Sequence, residues 1–299
     1  MKPLGSRNWT ASRDRTDRIV AVTNPGLSQS LHSAASRLAT VSATPRLDAE
    51  LLLAHALGLS RADLLLRQRD LAVPPDFEAL LSRRLSGEPI AYITGVRDFW
   101  TISLHVTPAV LIPRPDSETL MEAAVDYFKD RAPARILDLG TGSGALLLAA
   151  LDQWPDATGM GIDIAPDALS VAQANAARLG LASRSEWRLG DWAEGVEGPF
   201  DLLLINPPYI ARDAPLSGDV LHEPEGALFA GAQGLDDYRR IAPLLPRLLA
   251  PGGLAAIEIG YDQRESVSAL LGDQGLSVEV RRDLGGHDRC LLATRATRR

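Results

Sequence analysis

The sequence predicts an α/β protein: a doubly wound, mostly parallel sheet, preceded by a small helical domain and a β-hairpin linker. Three observations lead there. From residue 134 onward, short apolar runs alternate with helical periodicity, the signature of repeated β-α-β units. Among those runs, Phe200–Ile205 has the apolar character of a strand covered on both faces. Residues 27–87, by contrast, carry three- and four-residue apolar spacing throughout.

Residues 1–27 are rich in Arg, Ser and Thr and lack apolar periodicity, so they predict a disordered extension. Residues 28–90 predict a helical bundle. Leu31, Ala35, Leu38 and Val41 share one helix face. Pro45 opens a second helix that carries Leu47, Leu51, Ala54 and Leu57 and stops at Gly58. Ser60 with Asp63 has the spacing of a capping box for a helix through Leu66. Pro74 and Pro75 start a fourth that ends at Gly87. With no cluster of Cys or His, this unit predicts recognition and not catalysis. Residues 91–115 predict a hairpin, Val96–Trp100 against Thr101–Val106, and then an extended connector, because Pro113 and Pro115 flank Arg114.

Residues 116–299 predict the α/β domain. Asp116 or Ser117 caps a helix to about Lys129. Strands are expected at Arg135–Leu139, Thr158–Asp163, Glu186–Leu189, Phe200–Ile205 and Gly253–Ile259. Helices are expected at Ala145–Leu151, Pro166–Leu179, Leu235–Leu249 and Arg264–Leu271, and Leu276–Arg282 with Arg289–Ala293 closes the sheet as an antiparallel hairpin.

Composition narrows the function. The chain has 299 residues, 45% hydrophobic and 23% charged, which supports a core of domain size. Its net charge of -7 is unevenly spread: residues 1–95 carry 12 basic against 9 acidic side chains, residues 96–299 carry 19 against 29. That argues against a protein living on nucleic-acid phosphates. No apolar run reaches the roughly 18–20 residues of a membrane helix. The single Cys290 can form no internal disulfide and no structural zinc site, and no metal centre is expected; a cytoplasmic setting fits.

In doubly wound sheets, ligands bind at the carboxyl ends of the strands. Four features fall there. Asp138-Leu139-Gly140-Thr141-Gly142-Ser143-Gly144 is a glycine-rich turn into a helix, where backbone N–H groups can meet a ligand. Its G-x-G-x-G spacing is not the dinucleotide G-x-G-x-x-G. Asp163 ends the next strand, where a carboxylate can accept ribose hydroxyls. Gly190-Asp191-Trp192 follows the third; Trp192 serves equally as core packing or as a flat wall for an adenine, and Asp191 as a surface turn or a hydrogen-bond partner. Asn206-Pro207-Pro208-Tyr209 follows the buried strand. Its prolines remove two donors and leave carbonyl acceptors, Asn206 adds an amide, and Tyr209 a flat face. The set suits a planar NH₂ group, gripped by both hydrogens so that its lone pair turns toward an electrophile.

Asp138–Gly144, Asp163 and Asn206–Tyr209 together resemble a class I S-adenosylmethionine-dependent methyltransferase acting on amino or amide nitrogen. The resemblance narrows with Pro45–Glu50, Gly87–Gly95, Phe99-Trp100, Leu111–Glu118 and Asp219–Pro224 with Ala227-Leu228: over residues 28–295 the chain is similar to the release-factor glutamine methyltransferase (HemK/PrmC) family. Ser117 stands where that family usually has Thr, with the hydroxyl kept. The resemblance implies methyl transfer from S-adenosylmethionine, with S-adenosylhomocysteine as product, to the glutamine of the Gly-Gly-Gln tripeptide of class 1 peptide release factors. It implies cofactor binding by Gly140, Thr141, Gly142, Ser143, Gly144, Asp163, Trp192 and Asn206. Asn206, Pro207, Pro208 and Tyr209 would hold the glutamine, with Asn206, Pro207 and Tyr209 carrying the transfer. A monomer without direct nucleic-acid contact is expected.

Three rival classes stay in view. A nucleic-acid amino-methyltransferase needs phosphate contacts and room for a flipped base, which the acidic balance disfavours. A non-catalytic cofactor-binding scaffold would have no use for Asn206–Tyr209. A nicotinamide dehydrogenase is weakened by the glycine spacing. His287 and Cys290 make no nucleophile pair, since methyl transfer needs no covalent intermediate.

Overall fold

The computed structural model describes residues 26–216 and 218–295. The expected extension lies outside them except for Gly26 and Leu27, and Leu27 is already the buried first residue of helix α1 (Leu27–Leu38). α2 (Pro45–Ala56), α3 (Arg61–Leu66) and α4 (Phe77–Leu85) complete a bundle around Leu31, Leu38, Leu52, Leu53, Leu64 and Leu81. Ser60 caps α3, its hydroxyl accepting the Asp63 N–H at 3.0 Å, as the spacing predicts.

A fifth helix, α5 (Ile90–Thr94), was not expected. Pro89 precedes it, and Gly95 ends it at φ 73°. It straddles the boundary: Ile93 packs into the bundle while Ala91 and Tyr92 pack with Val106, Val110 and Ile112 of the connector. The hairpin follows as β1 (Val96–Phe99) and β2 (Ile102–His105), antiparallel, turning at Trp100 (φ 53°).

α6 (Glu118–Tyr127) leads into β3 (Arg135–Leu139), α7 (Ala145–Gln153), β4 (Thr158–Asp163), α8 (Pro166–Arg178), β5 (Ser185–Leu189) and β6 (Phe200–Ile205). The remainder comprises α9 (Asp236–Ile241), α10 (Leu245–Leu248), β7 (Leu249–Glu258), α11 (Arg264–Gly272), β8 (Leu276–Arg282) and β9 (Asp288–Arg295). The strands form one sheet in the order β5-β4-β3-β6-β7-β9-β8, parallel except for β9, which is antiparallel to both neighbours. The single helix expected over 235–249 is broken instead: a 3₁₀ turn at Ala242–Leu244 separates α9 from α10. Pro243 and Pro246 lack the N–H that an unbroken helix would use.

Alternate strand residues face opposite layers. Ile136, Leu202, Leu204, Leu254 and Ala256 meet α6 and α7, while Leu137, Leu139, Leu203, Ile205, Ala255 and Ile257 meet α9, α10 and α11. Burying each such leucine contributes about 1.5–3 kcal/mol. All the parallel strands therefore end on one edge of a doubly covered sheet, where the polar motifs collect.

Two polar anchors tie the smaller units to that edge. Asn175 of α8 is fully buried. Its Oδ1 accepts the His105 N–H at 2.7 Å, and its Nδ2 donates to His105 O at 2.9 Å and Ser143 O at 3.0 Å, joining the hairpin to the glycine turn. Arg84 of α4 is buried between two carboxylates: it donates to Asp48 Oδ2 at 2.8 Å and, in a two-bond fork, to Asp219 at 2.9 and 3.1 Å. Asp219 belongs to the loop that follows Tyr209, so the bundle is bolted to the α/β domain there.

Candidate active site

A cavity of about 370 Å³ opens at the carboxyl edge of the sheet. Gly140 and Gly142 form one side, Asp163 and Ile164 the next, then Asp191 and Trp192, and finally Asn206 and Pro208, with Pro224, Gly226 and Ala227 across the mouth.

The glycine turn needs its glycines. Gly140, Gly142 and Gly144 all take φ between 54 and 81°. A Cβ at Gly140 would meet the Trp192 ring at 3.2 Å, and one at Gly144 would meet Leu148 and Trp187 at 3.0 Å. Asp163 braces the turn from the neighbouring strand, Oδ2 accepting the Gly142 N–H at 2.8 Å and Oδ1 the Ala165 N–H at 2.9 Å. Each carboxylate oxygen keeps acceptor capacity toward the cavity. Thr141, Ser143 and Gly144 do not line it: Thr141 and Ser143 are buried, the Thr141 hydroxyl donating to Asp138 Oδ2 at 2.6 Å, and Gly144 faces the hydrophobic core as the residue before α7. These three shape the turn from behind.

Asp138 itself is buried with Oδ1 lacking a partner among the described residues. Burial pushes its pKa up to about 7, against the pull of the Thr141 hydroxyl and the Leu147 N–H.

Trp192 is half-buried at φ 51°, a strained backbone for so large a residue. Its ring lies over Gly140, and its indole N–H donates to Asp237 Oδ1 at 3.2 Å. It therefore packs on the glycine turn and also lines the cavity. Asp191 is paired with Arg240 at the cavity rim.

Asn206 is the first residue past β6. Its Nδ2 donates to Ser117 Oγ at 3.1 Å, which leaves Oδ1 as its free acceptor. Pro208 joins it on the cavity wall, whereas Pro207 is buried behind and Tyr209 turns down into the sheet edge. The Tyr209 hydroxyl donates to Glu258 Oε1 at 3.3 Å, and the Tyr209 carbonyl accepts Gln263 Nε2 at 3.0 Å. Gln263 also donates to Gly234 O at 3.0 Å, so one side chain clamps two turns.

Three residues here escaped the sequence reading. Ser117 was expected as a helix cap and noted for its hydroxyl, without a partner assigned to it; it makes no cap bond and accepts from Asn206 instead. Glu258 and Gln263 were not singled out. The available signal was a lone acid inside the apolar run Leu254–Ile259, at a strand's carboxyl end. Glu258 is fully buried, and its Oε2 has no partner among the described residues. Burial pushes its pKa up to about 7; the Ser117 hydroxyl, the Arg289 guanidinium and the Tyr209 hydroxyl draw it back down. An orphaned buried acceptor of this kind costs about 1–3 kcal/mol.

The cavity fits a nucleoside-bearing methyl donor such as S-adenosylmethionine. Side-chain-free backbone at Gly140 and Gly142, a carboxylate at Asp163, and apolar surface from Ile164 and Trp192 supply the three contact types that a charged amino-acid tail, a ribose and a purine require.

Comparison with known proteins agrees. The PrmC N-terminal domain matches residues 29–95 and a methyltransferase domain matches residues 130–269. The release factor glutamine methyltransferase of Rhodospirillum rubrum is 48% identical over 258 residues, spanning 84% of this chain and 79% of its own. That of Caulobacter vibrioides is 39% identical over 299 residues, spanning 96% and 95%. Among solved structures, a methyltransferase from Pyrococcus furiosus superposes with a TM-score of 0.50 at 18% identity, over 71% of this chain and 95% of that one, and shows the same fold.

Proposed function

The chain belongs to the release factor glutamine methyltransferase family, and from that premise we propose that it methylates the side-chain amide nitrogen of the glutamine in the Gly-Gly-Gln tripeptide of class 1 peptide release factors. S-adenosylmethionine is the methyl donor. When bound, it supplies an electrophilic methyl group on a sulfonium. The glycine turn, Asp163, Ile164 and Trp192 would hold it.

The observation that carries the reading is the orientation of Asn206. With one Nδ2 hydrogen given to Ser117, its Oδ1 is left as an acceptor on a residue of the cavity wall, beside the rigid Pro207-Pro208 backbone. The carbonyls of Pro207 and Pro208 accept no hydrogen bond among the described residues. Asn206 Oδ1 and a proline carbonyl can therefore take the two hydrogens of one planar amide. An amide nitrogen is a poor nucleophile because its lone pair is delocalised. Held by both hydrogens at fixed acceptors, it presents that lone pair in one direction, and positioning lowers the barrier. As the nitrogen gains its methyl group it sheds one hydrogen as a proton.

The helical bundle we assign to recognition of the release factor, since it carries none of the cavity wall and yet is fixed to the loop beside it through Arg84 and Asp219. No helix among the described residues is long and apolar enough to cross a membrane. We place the reaction in the cytoplasm, with the monomer as the working unit and no direct nucleic-acid contact.

Methyl transfer from radiolabelled S-adenosylmethionine to a purified class 1 release factor tests the assignment, with a Gly-Gly-Gln→Gly-Gly-Ala version and duplex DNA in parallel. Label is expected on the wild-type factor alone. Label on DNA, or on the Gly-Gly-Ala factor, would overturn the substrate.

Asp163→Ala should weaken S-adenosylmethionine binding by about 1.5–3 kcal/mol, roughly 10- to 150-fold in Kd, through loss of a charged acceptor. Calorimetry giving an unchanged Kd would remove Asp163 from the cofactor site.

A further inference from the structure

We propose that Ser117 and Glu258 are positioning residues for the transfer: together they fix which end of the Asn206 amide faces the cavity and brace the Asn206–Tyr209 turn from beneath. The inference rests on the reading of Asn206 as the holder of the glutamine amide.

An asparagine amide has nearly the same outline with either end forward, so its shape alone cannot decide whether oxygen or NH₂ meets the substrate. A neighbour must decide. Ser117 Oγ accepts from Nδ2 at 3.1 Å, and that sends Oδ1 the other way. A hydroxyl that accepts one hydrogen keeps its own for a second acceptor, and the Glu258 carboxyl is the acceptor beside it, though no hydrogen bond closes onto Oε2. Register places Glu258 there. Ile205 pairs with Ile257 across β6 and β7, so the residue after each, Asn206 and Glu258, stand side by side at the sheet edge. Tyr209, at the far end of the turn, donates to the same carboxyl at 3.3 Å. One buried carboxylate thus serves both ends of a four-residue turn, Tyr209 directly and Asn206 by way of Ser117.

That service requires acceptors. A protonated Glu258 would carry a hydrogen of its own, compete with the Tyr209 hydroxyl it now receives, and free Ser117 to donate toward Asn206 instead. The charged and titratable groups facing it are Asp116 in the turn before α6, Tyr209, Tyr238 of α9, and Arg289 and Cys290 of β9. Burial outweighs the Ser117 hydroxyl and Arg289 and lifts Glu258 to about 7. The accepting form is therefore present above that pH and lost below it, and kcat should rise with pH through about 7.

The test uses the full-length enzyme, radiolabelled S-adenosylmethionine and a class 1 release factor, with kcat and KM measured from about pH 5.5 to 8.5. Ser117→Ala should lower kcat about 10- to 100-fold with KM and cofactor Kd nearly unchanged, and Ser117→Thr should restore it. Glu258→Gln should flatten the rise of kcat through pH 7. Asn206→Ala is run alongside. Wild-type kcat in Ser117→Ala, or a wild-type pH profile in Glu258→Gln, with Asn206→Ala inactive, overturns the positioning role alone. An active Asn206→Ala overturns the reading beneath it. Ser117→Ala removes a single oxygen and keeps the question answerable if Glu258→Gln does not fold.

Discussion

Asn206→Ala should lower the turnover number for release-factor methylation by about 10²–10³-fold, the usual cost of removing one preorganised polar group from a reacting centre. Asn206 lies past the end of β6, is only half-buried, and among the described residues makes one side-chain hydrogen bond, to Ser117. Its removal empties no core site, so thermal stability should hold. The cavity surfaces provided by Gly140, Asp163 and Trp192 stay in place, so the Kd for S-adenosylmethionine should change only a few-fold. What disappears is the acceptor that orients the amide. Initial rates of label transfer, with calorimetry of cofactor binding on the same preparation, check both halves. A variant with near-wild-type turnover would end the assignment of Asn206 to the reacting group.

Gly234→Ala is expected to be the most damaging conservative substitution near the site. Gly234 sits at φ 69°, and a Cβ there would lie 2.2 Å from the Tyr209 carbonyl oxygen and 2.8 Å from Gln263 Nε2. The first neighbour is backbone and cannot step aside without moving the Asn206–Tyr209 turn. Strain at positive φ, about 1–2 kcal/mol, adds to overpacking of about 1–3 kcal/mol. The sum, roughly 2–5 kcal/mol, corresponds to a fall of several degrees or more in Tm at about 2–4 °C per kcal/mol. Turnover should fall as well, because the clamp from Gln263 to Tyr209 O is displaced. Gly58→Ala is the matched control: φ is 63°, but nothing lies within 4 Å of the added carbon, so only the strain is felt and activity should be untouched. Equal Tm values for the two variants would show that the contact with Tyr209 carries no cost.

Much of the architecture was legible because it is local. Apolar runs punctuated by glycine and proline place the strands, and the rule that ligands gather at their carboxyl ends then singles out Gly140, Asp163 and Asn206 without a structure. All three line the cavity. The misreadings have two sources. Some were local and underweighted: Pro243 and Pro246 divide the segment read as one helix, and α5 is a single turn too short for periodicity to reveal. Others were not local at all. Ser117 looks like an ordinary helix cap until folding brings it to Asn206, 89 residues along the chain. Locally, Glu258 is marked only as a lone acid in the apolar strand β7; α6 and β9, from distant parts of the sequence, pack against that strand. Thr141 and Ser143 belong to the glycine motif yet face inward, since a tight turn that offers its backbone to a ligand must tuck its side chains elsewhere.

The fork from Arg84 to Asp219 also sets an order of assembly. Its two ends are 135 residues apart in the chain. During synthesis the bundle leaves the ribosome first, with Arg84 held by Asp48 and by the main-chain carbonyls of Val41 and Glu88, and so able to fold with its charge already matched. The second carboxylate arrives only after β6 and the Asn206–Tyr209 turn have been made. During synthesis, therefore, the fork cannot close until β6 and the Asn206–Tyr209 turn have followed the bundle out of the ribosome.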